Sequence, residues 1–424
     1  MANIPATPNR PVIPQDILNS VLDQLRHDSR TLGACALAAR SLRPLSQQHM
    51  YASISLDLSF IFDSIQRVAD LRDVLTVNPS LAENIHHLSL SVCDLRYMFG
   101  DDPSVIEDMG PVSLAVLSDT WAPIVTLRML HRLHKLSVVG GFLGMECRAP
   151  TWDCLDEELR AFIYDQLRSP ALVEISFDFV HGIPLDYFVS CAQLQNINLK
   201  DVTRSIDPES PTLSLPPQTG HLKSLSLIGT VTTSNFIDAM HTPGCSLSLT
   251  RLRELFITHV DSVICQAVLD MCAESLETFK LVLMSSADCD PSFMNLTHMK
   301  KLRSFHLNYH LISHKTGAGW LRNFLIVETH LPTAKGPLEK FTLEGGLYIH
   351  SAMWNTIDDI LVEAPCLKNV HVCLCLPNIP ATTQEASDFC QSGIPHLATR
   401  GNFSVLWSQH YVEKGSDYIA ETVG

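Results

Sequence analysis

Four groups of residues have types that could do chemistry, and their spacing decides how far each reading goes. His306, His310 and His314 recur every four residues, a metal-ligand spacing if the segment were a helix. His306 instead falls within LRSFHL, whose alternation of apolar and polar residues reads as a strand, so the three cannot share one helical face. Scattered surface histidines are the simpler account. Cys373 and Cys375 would project from one face of a strand, but no nearby Cys or His pair completes a tetrahedron, which favours core thiols. Gly140, Gly141 and Gly144 follow an apolar segment where a phosphate loop might sit, yet Pro150 follows closely and no helix opens at Gly144. A tight turn is expected there. Asp101 and Asp102 read as loop solvation rather than a catalytic carboxylate pair.

No G-x-S-x-G, H-E-x-x-H or G-x-x-x-x-G-K-[ST] occurs anywhere in the chain. Trp121, Trp152, Trp320, Trp354 and Trp407 fall on expected helices, turns or the C-terminal cap, where core packing is the first reading. The expectation is therefore a protein that does no covalent chemistry, with no metal and no cofactor.

The elements that would position any site come from a hexad: Leu, two polar residues, then apolar, polar, apolar. It reads IHHLSL from Ile85, LHKLSV from Leu133, LVEISF from Leu172, LQNINL from Leu194 and LKSLSL from Leu222. It continues as LRELFI from Leu252, LETFKL from Leu276, LRSFHL from Leu302, LEKFTL from Leu338 and LKNVHV from Leu367. Apolar residues at positions four and six around a polar fifth are the period of a half-buried strand. From Leu172 to Leu302 the starts lie 22, 28, 30, 24 and 26 residues apart, near the range of leucine-rich repeats.

Between the hexads run helix patterns: Leu155 to Leu167 stopped by Pro170, Val263 to Met271, Met353 to Leu361 stopped by Pro365, and a helix over Leu114–Leu130. Acidic and proline-rich segments near 99–111 and 203–220 read as loops. Strand, turn, helix, turn is the expected unit. Strands pair about 4.8 Å apart and helices need about 8–10 Å, so such a stack must curve with its strands inward. The polar fifth positions would line the concave face: Ser89, Ser137, Ser176, Asn198, Ser226, Phe256, Lys280, His306, Thr342 and His371. They are the expected contacts for a target protein.

Ahead of the repeats stands a short helical block. Ile13, Ile17, Leu18, Val21, Leu22 and Leu25 fall on one helical face, with Pro14 near the helix start. A second helix carries Leu32, Cys35, Ala36 and Ala39, and its small residues from Gly33 to Ala39 permit close approach of a neighbour. The block carries more apolar surface than one end cap for the repeats consumes, which suggests docking; capping alone is the simpler alternative.

This block resembles an F-box, the module by which substrate receptors attach to the Skp-type adaptor of a cullin ubiquitin ligase. Ile13-Pro14-Gln15-Asp16-Ile17 stands for the family's Leu-Pro-x-Glu-Ile/Leu, and Val21, Leu22 and Leu25 match its Ile-Leu-x-x-Leu. Thr31 to Pro44 is similar to the segment ending Arg-Ser-Trp, with Leu42 where Trp is usual and Ala38 where Val is usual. The repeats with LTVNPSLAENIHHLSLS and GIPHLATRGNFSVLW resemble mushroom-type fungal F-box proteins.

The resemblance implies an α/β fold: an N-terminal three-helix F-box followed by a curved leucine-rich-repeat solenoid. It implies adaptor contacts at Ile13, Pro14, Ile17, Leu18, Val21, Leu22, Leu25, Leu32 and Leu37. The partners would be the adaptor, a cullin through it, and a target protein. The rival reading is a leucine-rich interaction scaffold with a degenerate F-box and no ligase role. The expected divisions are a tail over 1–10, the F-box-like module over 11–56, the repeat array with its cap over 57–410 and a tail over 411–424.

Composition sets the remaining bounds. Net charge is −15 with pI ≈ 5.6, which argues against nucleic acid or an anionic membrane as main partner. Hydrophobic content of 46% against 18% charged residues indicates a folded chain rather than a disordered one. Thirteen scattered cysteines without a C-x-x-C fit reduced thiols, and the first residues show no apolar signal segment. Cytoplasm or nucleus is the expected location.

Overall fold

The computed structural model describes residues 14–26, 28–58, 62–92, 122–141, 150–155, 157–205, 219–242, 245–258, 262–283, 294–309, 315–327, 331, 337–345, 351–376 and 383–407. Its described strands are β1 (Ser53–Asp57), β2 (His87–Val92), β3 (Lys135–Gly140), β4 (Glu174–Asp178), β5 (Asn196–Lys200), β6 (Gly220–His221) and β7 (Ser224–Ile228). There follow β8 (Leu247–Ser248), β9 (Glu254–Thr258), β10 (Thr278–Leu283), β11 (Ser304–Tyr309), β12 (Lys340–Gly345), β13 (His371–Leu376) and β14 (Phe403–Trp407). The chain divides into two compact units: Met1–Arg148 with Leu155–Leu172, and Ala149–Cys154 with Val173–Gly424.

In the first unit, helices Gln15–Gln24, Ser29–Ala38 and Arg43–Tyr51 precede β1. The Asp28 carboxylate caps the second helix, accepting the Thr31 N–H at 3.0 Å. Those hydrogen bonds from Thr31 hold its pKa below the usual carboxylate value. Gly33 faces Met50 of the third helix, so the small-residue run does admit a close neighbour. The imidazole of His49 reaches Asp23 at 3.3 Å and ties the third helix to the first. β1, β2 and β3 then pair in parallel, with Leu56, Leu90 and Val138 in register and buried. Helices Phe62–Val77, Ala122–Arg128 and Glu157–Arg168 complete this unit. Within it, Gln166 donates from its amide nitrogen to the Leu130 carbonyl at 3.1 Å.

In the second unit, nine strands lie side by side in the order β4-β5-β7-β9-β10-β11-β12-β13-β14, while β6 and β8 form a separate parallel pair. Each pairing given for the nine is parallel. Parallel neighbours require a crossover, and helices Thr230–Met240, Ser262–Cys272, Lys315–Arg322 and Ser351–Glu363 lie in such connections.

The hexad explains the register. Its leading leucines at 172, 194, 222, 252, 276, 302 and 367 are fully buried. The carbonyl of its second residue accepts two N–H groups from the next repeat: Arg253 and Glu254 both bond Lys223, and Glu277 and Thr278 both bond Arg253. The same forked pattern recurs at Arg303 and Ser304 on Glu277, then at Glu339 and Lys340 on Arg303. One repeat thus supplies the acceptor that starts the next strand.

Positions four and six face the helices. Phe279, Phe305 and Phe341 stand in register on β10, β11 and β12, all fully buried. Phe324, in the π-turn Asn323–Val327, packs 6.0 Å from Phe305 between ring centroids. Phe177 of β4 stacks on Phe188 of the short helix Leu185–Phe188 at 5.0 Å.

Tryptophans also go to the core where they are described: Trp152 against Phe177 and Phe188, Trp320 on Phe324, and Trp354 edge-on to Phe389. Trp121 and the side chain of Trp407 lie outside the described residues, as do Asp101 and Asp102. Of the glycine group, Gly141 has φ +98 in the turn after β3, which suits glycine; Gly144 lies outside the described residues.

The expected helix over 114–130 is described only as Ala122–Arg128. The other three appear as Glu157–Arg168, Ser262–Cys272 and Ser351–Glu363, within a few residues of their periodic patterns. Among the described residues no helix is long and apolar enough to cross a membrane.

Candidate functional site

The first candidate surface lies on the helical block. Ile17 and Val21, one turn apart on the first helix, are each 51% exposed, and Leu37 at the end of the second is 85% exposed. Pro14 is exposed and its carbonyl accepts the Leu18 N–H, opening the helix. Leu18 and Leu25 are half-buried. Ile13 lies outside the described residues.

Two expected adaptor contacts need correction. Leu22 and Leu32 are buried at 2% and 0%, so they hold the helices together and offer no surface to a partner. The first helix turns Leu22 inward and leaves Ile17 and Val21 in water.

The second candidate surface is the sheet face opposite the helices. Strand alternation places the fifth hexad residues on it. In the first unit Ser89 and Ser137 are in register, joined by Ser55 of β1, and Ser89 and Ser137 are half-buried. In the second unit one row runs Ser176, Asn198, Ser226, Phe256, Lys280, His306, Thr342 across β4 to β12. Within each unit the expected residues therefore do share a face and a register.

His371 is the exception and is corrected. It stands opposite Lys340, and the row continues from Thr342 through Cys373 to Ser404. Leu367 sits in the 3-10 turn Pro365–Leu367, and β13 begins at His371, two residues later than the hexad implies. A two-residue slip preserves strand parity, so the face was legible and the register was not. Cys373 and Cys375 do share one face and are buried, as expected of core thiols. Their face, however, is this polar one, and Val372 and Leu374 occupy the other. Hydrogen bonding from Cys375, together with Ser404 and the Lys340 charge, holds the Cys373 thiol below its usual range despite burial, and Cys375 is pushed up. Burial raises Cys272 to about 12 and Cys366 to about 11, so those two are inert thiols.

Polar groups on β4 and β5 satisfy one another. Asn198 donates to the Ser176 hydroxyl at 3.2 Å, Asn196 to Glu174 at 3.4 Å, and Lys200 pairs with Asp178 at 3.4 Å. Burial raises the Asp178 pKa, against the pull of Lys200. Further along, His306 Nε2 lies 2.8 Å from a Glu344 carboxylate oxygen, and His371 Nε2 lies 2.9 Å from the Ser404 hydroxyl. Sequence reading missed Asn308, Lys340 and Glu344 because it followed only the fifth position; the third position and the residue after the hexad lie on the same face.

His306 gives a pH test. Burial holds its pKa below the ordinary 6.5, the Glu344 hydrogen bond opposes this, and the charges of Lys280 and Lys340 add to the lowering. The unfolded chain therefore takes up a proton that the folded chain refuses. Stability from this group is complete above the unfolded value and is lost as pH falls through it toward the lower folded value. His306→Gln is expected to lose less melting temperature than wild type between about pH 7.5 and about pH 5.5. An equal or larger loss in the variant would contradict the burial argument.

His310 and His314 lie outside the described residues, so the histidine trio is not described as a group. Among the described residues one set, Asp358, Asp359 and His396, brings three ligand atoms within 4.8 Å of one another. Both Asp358 oxygens already accept backbone N–H groups, from His396 at 2.8 Å and Leu397 at 2.7 Å, which makes Asp358 a helix cap. No family model matches the chain, and no curated protein matches it.

Proposed function

We propose that this chain is the substrate receptor of a Skp-cullin-F-box type ubiquitin ligase, whose helical block docks on the adaptor and whose repeats hold a target protein. The observation that carries the reading is the division of apolar residues in the block. Leu22 and Leu32 are buried within it, while Ile17, Val21 and Leu37 are exposed. Exposed apolar side chains on so small a module fit a partner's groove. The finer fold belongs to this reading too: a three-helix F-box and a leucine-rich-repeat solenoid that curves because strands pack more closely than helices.

In this reading the receptor performs no bond chemistry and accelerates ubiquitin transfer by proximity alone. The place of action would be cytoplasm or nucleus. The expected interface is of ordinary size, about 1,600 Å². Co-purification tests it: the full chain should capture a Skp-type adaptor, and Ile17→Asp with Val21→Asp should lose capture while keeping the wild-type melting temperature. These two positions are exposed, so a carboxylate there costs little in the free protein. Absence of capture by wild type would instead favour a leucine-rich scaffold without a ligase role.

A further inference from the structure

The polar sheet face of the second unit changes character along its length. On β4, β5 and β7 the central row is small and neutral, and its polar neighbours are mutually paired. On β9 to β12 it carries Phe256, Lys280 and His306, with Lys340 one step away on the same face. Phe256 is half-buried on a polar face, and the Lys280 ammonium lies 5.1 Å above its ring.

Two further observations bear on what would sit there. Lys200 on this face has a carboxylate partner, whereas Lys280 and Lys340 have none within ion-pair distance among the described residues. Uncompensated cations stand out in a chain with 45 acidic and 30 basic residues, where carboxylates are plentiful. In addition, the Asn308 side-chain oxygen on β11 is buried and accepts no hydrogen bond. Buried acceptors are normally satisfied, so this one would gain by turning outward to accept an N–H from a bound chain.

We infer that β9 to β12 form the energetic centre of target recognition, and that it takes an acidic peptide segment bearing an apolar side chain. Carboxylates would meet Lys280 and Lys340, the apolar side chain would cover Phe256, and a peptide N–H would satisfy Asn308. Aromatic residues dominate the cores of such interfaces, and charge complementarity selects the partner. Two carboxylate residues share this face: Glu254 on β9, and Glu344, which His306 engages. The inference rests on the receptor reading only in calling the bound segment a target.

Fluorescence anisotropy of the full chain with three labelled, end-blocked peptides tests this: Glu-Glu-Phe-Glu-Glu, Lys-Lys-Phe-Lys-Lys and Glu-Glu-Ser-Glu-Glu. The acidic phenylalanine peptide should bind at least about tenfold tighter than either of the others, and more weakly as salt rises. Lys280→Glu with Lys340→Glu should weaken it by at least about tenfold, Lys280→Met with Lys340→Met by less, and Asn198→Ala not at all. Failure of the acidic peptide to bind, equal binding of the basic one, or unchanged binding after charge reversal would each overturn the inference. Adaptor capture by the same preparations separates the two ideas. Capture without peptide binding removes this surface alone, and peptide binding without capture removes the ligase role alone.

Discussion

Phe305→Ala is expected to destabilise the second unit by about 3–5 kcal/mol, the cost of removing a fully buried aromatic ring. The ring contributes on three sides. Its centroid lies 5.4 Å from Phe279, 5.7 Å from Phe341 and 6.0 Å from Phe324. Phe279 and Phe341 are strand neighbours in register, so the cavity would open in the middle of the sheet, where paired backbones cannot collapse inward. Urea unfolding read by fluorescence measures the loss, and Phe305→Leu should recover more than half of it. A loss below about 1 kcal/mol would mean that the ring does not fill the space it occupies.

Asp358→Ala should cost about 3 kcal/mol or more, through polar satisfaction rather than packing. Asp358 is fully buried on the helix Ser351–Glu363, and its two oxygens receive the first free N–H groups of the short helix Pro395–Ala398. Pro395 itself brings no N–H to that turn. The His396 imidazole adds a contact at 3.0 Å. Alanine would strand two backbone donors near the last strand, so the helix and β14 should loosen together. Asn at 358 keeps one acceptor and should lose markedly less. Thermal unfolding of the three proteins checks the order; equal losses for Ala and Asn would contradict the capping role.

Both sites bear on what the sequence could reveal. Phe279, Phe305 and Phe341 were readable as fourth hexad positions, because alternation with a leading Leu fixes both the face and the start of each strand. The same rule failed at β13. There Leu367 belongs to a turn, and a shift of two residues leaves the alternation intact while moving His371 off the row. Asp358 was invisible for another reason. Its partners are backbone groups 38 and 39 residues away, and nothing local in Ser351–Glu363 marks one acid among several as a cap.

The helical block was legible as apolar helices, but not in which apolar residue faces which way. Leu18, Leu22 and Val21 are equally hydrophobic on paper, and only the packing of Arg43–Tyr51 against the first two helices separates the buried from the exposed. Lys280 was legible as one of ten expected contacts on the sheet face, whereas Lys340 was not singled out. Their lack of ion-pair partners among the described residues is a property of neighbours brought together by the sheet.

Titration of a purified Skp-type adaptor into the full chain, followed calorimetrically, tests the proposed receptor role most directly. The expected result is saturation at one adaptor per chain, with affinity reduced at least about a hundredfold by Ile17→Asp with Val21→Asp, since two carboxylates would be forced into an apolar interface at about 1.4 kcal/mol or more each. Heat indistinguishable from dilution with wild type, or unchanged affinity in the double variant, would contradict it.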